Sequence, residues 1–226
     1  MTNGNHYYLR YQDSEESKFL ELLFSKLNFV PKGHALDAGC GYGFFTNILA
    51  KLGFEEIIGF DLDKERIAKA SKAFGNRDSR CKFDVADAVN PPYGKETFDL
   101  VFCRGLSTLY TQDISQGCKQ CDTFYDLLRP NGFLILICAS DLSGKMTTGK
   151  IINQEMSTIA KFVDKTKQSS QHWNYFVFAK HYSTKLLGKT MFSGFTSSLA
   201  VLLTKITKRQ GYIVYVIRKG IVTDGS

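Results

Sequence analysis

Ala35-Leu36-Asp37-Ala38-Gly39-Cys40-Gly41-Tyr42-Gly43 is the segment that most restricts what this chain can fold into. An apolar run ends in three glycines at alternate positions, and a helical pattern from Phe44 to Leu52 begins at once. The glycines let the backbone turn sharply and let a ligand approach where a Cβ would intrude. The helix behind them turns unpaired N–H groups toward the same spot. Taken alone, such a turn also fits a plain chain reversal with no ligand.

The rest of the chain up to residue 140 repeats the alternation of short apolar runs with helical patterns, the signature of a parallel sheet covered by helices. Strands are expected at His34–Ala38, Glu56–Phe60, Cys81–Val85, Phe98–Cys103 and Phe133–Ala139. A first helix is expected over Glu15–Leu27, capped by Ser14, with Phe19, Leu22, Leu23 and Leu27 as its buried stripe. Asp63 is placed to cap another, in which Ile67, Ala70 and Phe74 share a face and Gly75 ends the run. A further helix is expected over Asp113–Leu128. Beyond residue 140, Ser183–Phe192 reads as helical. Ser198–Lys205 and Tyr212–Arg218 read as a β-hairpin, hence an antiparallel edge on the sheet. Residues 141–175 fit no strand and read as a helical insertion over one end of the sheet.

Two acids fall where ligands bind in open α/β sheets, at the C-terminal ends of strands. Asp61 closes the second strand, 22 residues after Gly39, where a carboxylate can accept hydrogen bonds from both hydroxyls of a ribose. Asp87 follows the third strand, within Val85-Ala86-Asp87-Ala88.

With the glycine turn, these residues resemble the class I S-adenosylmethionine-dependent methyltransferases, strongly over residues 30–140 and by architecture over 181–219. The resemblance implies a Rossmann-like three-layer α/β sandwich whose seven-stranded sheet is mostly parallel, with an antiparallel C-terminal hairpin strand. It implies that Asp37, Ala38, Gly39, Cys40, Gly41 and Gly43 surround the methionine moiety and ribose of S-adenosylmethionine. By the same likeness, Asp61 and Leu62 hold the ribose side, and Asp87 and Ala88 read the adenine edge. Phe98-Asp99-Leu100-Val101-Phe102-Cys103-Arg104 resembles the fourth-strand motif, so Cys103 and Arg104 line the methyl-donor site. Leu128-Arg129-Pro130-Asn131-Gly132 resembles the turn before strand five, with Asn in place of the usual Gly. Asn tolerates left-handed backbone, so the departure is mild. A single domain over 1–226 is expected: a helical cap at 1–30, the cofactor-binding core at 31–140, an insertion or lid at 141–175, and a helix with a hairpin at 176–226.

Other motifs carry less. Position 44 is Phe, so the third glycine of a dinucleotide fingerprint is missing and a nicotinamide enzyme is disfavoured. Asn90-Pro91-Pro92-Tyr93 spells an amino-methyltransferase motif but precedes the fourth strand, where a rigid turn explains it better. Cys118-Lys119-Gln120-Cys121 has no second pair and no histidine cluster, so no metal is expected. Ile114, Cys118, Cys121, Tyr125 and Leu128 share a helical face and read as buried. Gly188-Lys189-Thr190 lacks the first glycine of a phosphate loop, since position 183 is Ser. No catalytic residue is certain. His181, before the late helix, and Tyr11, in an aromatic-basic cluster with Tyr7, Tyr8 and Arg10, are the candidates. The alternatives are a helix-entry histidine beside a Ser183 cap and a solvated terminus.

Composition bounds the setting. The 226 residues, 43% hydrophobic and 23% charged, suit one ordinary globular domain. The start of the chain is too polar for a signal peptide, no apolar run is long enough to span a membrane, and six cysteines read as reduced thiols, so a cytoplasmic protein is expected. Residues 1–140 hold 16 basic against 18 acidic side chains, and 141–226 hold 13 against 4, which together make the net +7. The basic portion is compatible with a solvated face or with RNA. The preferred partner is a small-molecule acceptor, covered in part by Trp173-Asn174-Tyr175-Phe176. An RNA methyltransferase and a non-catalytic cofactor-binding subunit are the alternatives. Composition leaves the oligomeric state open.

Overall fold

The computed structural model describes residues 5–106, 109, 114–140, 149–166, 169–178, 185–207 and 211–221. In chain order the elements are α1 (Asn5–Lys26), β1 (His34–Ala38), α2 (Phe44–Leu52), β2 (Glu56–Asp61), α3 (Lys64–Ala70), β3 (Cys81–Val85) and β4 (Phe98–Arg104). They continue with α4 (Ile114–Asp126), β5 (Leu128–Ser140), α5 (Gly149–Thr166), β6 (Ser170–Phe178), α6 (Gly194–Thr207) and β7 (Gly211–Lys219). A single π-helical turn, Ser71–Gly75, extends α3, and a 3-10 turn, Gly188–Met191, precedes α6.

The seven strands form one sheet in the order β3-β2-β1-β4-β5-β7-β6. β1 to β5 pair in parallel, and β7 is antiparallel to both β5 and β6. This is the Rossmann-like methyltransferase architecture, with antiparallel strands at its C-terminal edge.

Strand residues alternate between two cores, as the pleat requires. Leu100, Phe102, Phe133, Ile135, Val214 and Val216 face α1 and α2. Val101, Cys103, Leu134, Leu136, Tyr215 and Ile217 face α4 and α5. Both faces are therefore covered, which is why the strands read as continuous apolar runs.

The expected boundaries hold at β1, α2 and β3, and Asp63 caps α3 by accepting from the N–H groups of Glu65 and Arg66. Three expectations need correction. Ser198–Lys205 is not a strand but lies inside α6. That helix buries small residues, Thr196, Ala200 and Thr204, and leaves Phe195, Leu199, Leu202 and Ile206 exposed, so its apolar run lacks the usual inward stripe. Nor do residues 141–175 lie wholly outside the sheet. Ser170–Phe178 is the edge strand β6, whose Tyr175, Phe176 and Val177 are buried, and it supplies the antiparallel partner that the hairpin was expected to provide. Finally, of the expected helix over Ser183–Phe192, residues 183 and 184 lie outside the described region, Lys185 and Leu186 are helical, and the 3-10 turn Gly188–Met191 follows instead of a continuous helix.

The first helix starts well before the expected Glu15, and its buried side chains include Leu20 and Phe24 as well as Phe19, Leu22 and Leu23. No helix among the described residues is long and apolar enough to cross a membrane.

Phe192 is fully buried at the junction of α1, β6 and the 3-10 turn, with its ring centroid 5.5 Å from Phe19 and 5.3 Å from Tyr175. Phe192→Ala is expected to destabilise the fold by about 3–5 kcal/mol, read as a lowered urea midpoint at unchanged slope.

Candidate active site

The strand register places the C-terminal ends of four parallel strands side by side. Ala38 pairs with Phe60 and with Cys103, and Asp61 pairs with Val85. The glycine turn, Asp61, Asp87 and Arg104 therefore share one edge of the sheet.

The turn is held from both sides. Cys40 N–H donates to the Phe60 carbonyl at 2.8 Å, and Gly43 N–H donates to the Cys40 carbonyl at 2.9 Å. Asp61 binds the turn directly, its Oδ2 accepting from Gly41 N–H at 3.0 Å and its Oδ1 from Asp63 N–H at 2.9 Å. A carboxylate has about four acceptor positions, so each oxygen keeps one for a ligand hydroxyl. Gly41 has φ +55°, and a Cβ built there meets nothing within 4 Å, so the turn opens onto unfilled space. Gly43 serves a different purpose. A Cβ there would lie 2.5 Å from the Phe83 ring and 2.9 Å from Ala70, so it permits close packing of α2 against the neighbouring unit.

Asp37 is placed behind the turn rather than in its mouth. It is 2% exposed and accepts from the Thr46 hydroxyl at 2.7 Å, which ties β1 to α2. Burial raises its pKa from the ordinary 3.8 to about 7, against the lowering effect of the Thr46 hydrogen bonds. Cys40 is buried too, and burial, with the Asp37 and Asp61 carboxylates adding, pushes its thiol pKa up and keeps it protonated.

At the next strand end, Asp87 is exposed and its Oδ1 accepts from Val89 N–H at 2.9 Å, while Ala88 is buried. Leu62 and Val89 expose 69% and 50% of their surface beside these acids, which makes this rim apolar as well as acidic. Arg104 closes the far side, where its Nη1 donates to Glu16 on α1 at 3.3 Å and its guanidinium lies 5.1 Å from the Phe45 ring centroid and 5.8 Å from that of Tyr212. The Cys103 side chain is buried on the opposite face, so only its backbone can reach this edge.

Among the catalytic candidates, His181 lies outside the described residues, and Tyr11 falls in α1 where side chains are not described. Trp173 and Tyr175 line a cavity bounded by residues at the N-terminal ends of the strands, not the glycine turn. Tyr93 of the Asn90-Pro91-Pro92-Tyr93 loop packs against Phe60 and Phe98 and donates to Asp84 at 3.1 Å, a structural turn.

Three supporting residues escaped the sequence reading: Thr46, Glu16 and Gln120. The Gln120 side chain is buried and donates to the Ala88 carbonyl at 2.5 Å. Its signal was spacing, because the buried stripe of α4 is Gly117, Gln120, Cys121 and Phe124, displaced from the expected Ile114, Cys118, Cys121 and Tyr125.

A family model described as a methyltransferase domain matches residues 35–132, the segment that carries the turn and both acids. Over that segment the chain is similar to the S-adenosylmethionine-dependent methyltransferases. Phosphoethanolamine N-methyltransferase 1 of Arabidopsis thaliana is 28% identical over 111 residues, which cover 49% of this chain. The match spans only 22% of that relative's length. The structure of N-methyltransferase NodS from Bradyrhizobium japonicum WM9 in complex with S-adenosyl-L-homocysteine aligns with a TM-score of 0.59 at 16% identity, covering 93% of this chain and 86% of that one. The 4+2 cyclase SpnF aligns with a TM-score of 0.62 at 17% identity, covering 91% and 81%. S-adenosylmethionine is the cofactor of this methyltransferase family. The open space at Gly41, the two spare acceptor positions on Asp61 and the apolar rim fit such a molecule.

The raised Asp37 pKa makes a signed prediction. Between pH 3.8 and about 7 the folded methyltransferase domain binds more protons at Asp37 than the unfolded chain does, so this contribution to stability declines as pH rises through that window. Asp37→Asn keeps an acceptor for Thr46 and abolishes the titration. The melting temperature of the variant relative to the parent is expected to rise from pH 4 to pH 8, and a constant difference would contradict a protonatable buried Asp37.

Proposed function

We propose that this chain is a working enzyme that transfers a methyl group from S-adenosylmethionine to a small-molecule acceptor by in-line displacement. The observation that carries the reading is the juxtaposition of Gly41, open to unfilled space, with the Asp61 carboxylate held 3.0 Å from its N–H. The curated relatives include enzymes named for phosphoethanolamine and demethylmenaquinone, both small molecules, which supports that acceptor class.

When bound, the cofactor supplies an electrophilic methyl group on a positively charged sulfur. The residues of the chain bind and orient it. Asp61 accepts from the ribose hydroxyls with the positions that Gly41 and Asp63 leave open. The backbone of Ala38, Gly39, Cys40 and Gly41 surrounds the amino-acid portion, while Asp37 acts from behind by fixing the turn to α2 through Thr46. Leu62 lies beside the ribose, and Asp87 with Ala88 reads the adenine edge. Gln120, by holding the Ala88 carbonyl, is a positioning residue for that edge.

The acceptor belongs beside the end of β4, where Arg104, Glu16, Phe45 and Tyr212 come together. Helix α1, which reaches this edge through Glu16, serves as its cap. Because the donor is already activated, alignment and exclusion of water do most of the work. A nucleophile that loses its proton readily needs no general base.

Calorimetric titration with S-adenosylmethionine and S-adenosylhomocysteine tests the cofactor site. Asp61→Ala is expected to weaken binding by about tenfold or more, the loss of a charge-assisted hydrogen bond, with an unchanged circular dichroism spectrum. Gly41→Val is expected to abolish binding, because its side chain would occupy the space left for the ligand. Wild-type affinity in both variants would overturn the assignment. A screen of metabolite and RNA fractions with radiolabelled methyl donor then identifies the acceptor. Tight binding without turnover on any fraction would instead favour a chain that uses this fold for something other than methyl transfer.

A further inference from the structure

A cavity of about 940 Å³ lies away from the glycine turn. It sits where β4 and β5 begin, between the loop after α1 and the start of α6, so most of the strand length separates it from Asp61 and Asp87. Its volume suits a metabolite-sized ligand, and the methyl-transfer reading does not use it.

We propose that this cavity is a second binding site, for a free nucleoside monophosphate. Its two kinds of lining match the two halves of such a ligand. One wall is aromatic. Phe29 and Phe133 have ring centroids 4.8 Å apart, and the half-buried Trp173 lies nearly parallel to Phe133, at 27° and 6.5 Å. Planar rings stack on such a surface whatever their base identity.

The other lining is cationic. Lys26, Lys32 and Arg218 face the cavity, and Asp99 is its one acid. The Asp99 Oδ2 is already engaged by Arg129 Nη1 at 2.9 Å and by His34 N–H at 2.8 Å, so the carboxylate is balanced from outside the lining. Arg218 is held but not saturated. Its guanidinium lies 5.7 Å from the Phe133 ring centroid and its Nη2 donates to Asn131 at 3.1 Å. Its buried Nε has no hydrogen-bond partner among the described residues. A phosphate entering beside the aromatic wall meets this unmet donor after a small rotation of the side chain, and a planar guanidinium suits phosphate oxygens. Ser193 and Gly194 bring the opening turn of α6 to the same cavity, and a Cβ on Gly194 would meet nothing within 4 Å. Positive charge and an aromatic platform thus converge in one half-open cavity.

Trp173 is the chain's single tryptophan, so its fluorescence reports on this cavity alone. The full chain, saturated with S-adenosylhomocysteine to fill the glycine-turn site, is titrated with AMP and UMP. Both are expected to quench Trp173 saturably. Adenosine, uridine and inorganic phosphate are each expected to bind at least about tenfold more weakly, because each lacks one half of the recognition. Arg218→Gln is expected to weaken AMP by about tenfold. Lys32→Gln, at an exposed position, is expected to weaken it severalfold, with affinity for S-adenosylhomocysteine unchanged in both. No quenching at millimolar nucleotide, equal affinity for phosphate alone, or wild-type binding by both variants would overturn the proposal. A five-residue oligouridylate that binds tenfold tighter than UMP would overturn it too, in favour of RNA. Should S-adenosylhomocysteine itself fail to bind, the same titration without it still decides this site, and the failure falls on the glycine turn.

Discussion

The hydrogen bond from Gly41 N–H to the Asp61 carboxylate couples the ends of two adjacent parallel strands, and the arrangement around it follows from that coupling. It requires β1 to leave the sheet in left-handed backbone, which glycine adopts without the steric cost other residues incur. It also requires β2 to end level with the turn, a register set by the pairing of Ala38 with Phe60. Asp61 becomes a carboxyl group oriented by two backbone N–H groups, with acceptor capacity to spare. Behind it, Thr46 fastens Asp37, so the turn is braced on its buried side while its open side stays clear.

Covering both faces of the sheet leaves its two edges as the places where chemistry can occur. The edge at the C-terminal ends of the parallel strands is acidic and apolar, with glycine backbone and the Arg104–Glu16 pair around it. The opposite edge is aromatic and basic, and its acid is already paired. Residues close in sequence divide between the two: Asp99 and Arg104 belong to one strand yet serve opposite ends of it. This polarity comes from strand direction, since parallel strands gather all their C-terminal ends on one side.

The elements that were legible in the sequence are those whose local chemistry is self-sufficient. Gly43 and Gly53 bracket α2, Asp63 caps α3, and β1 carries an apolar run between turn residues. The misread elements are those whose burial runs against the usual pattern. In α6 the small residues Thr196, Ala200 and Thr204 face inward while Phe195 and Leu202 face out, so hydrophobicity pointed to a strand. In β6 the first half, Ser170 to Asn174, is polar or half-exposed, so it carried no strand signal.

The candidate site divides in the same way. The sequence by itself determined the strand–turn–helix at Gly39–Gly43, the acid 22 residues beyond it and the acid after the third strand, because glycine geometry and strand spacing are local properties. Only the tertiary structure decided that Asp37 is buried behind the turn, that Gly43 serves packing while Gly41 borders open space, and that Gln120 and Glu16 support residues 32 and 88 positions away. Those roles depend on which side chains are driven inward when two helical layers close on one sheet. Chain spacing does not encode that outcome, because burial is settled by neighbours remote in sequence.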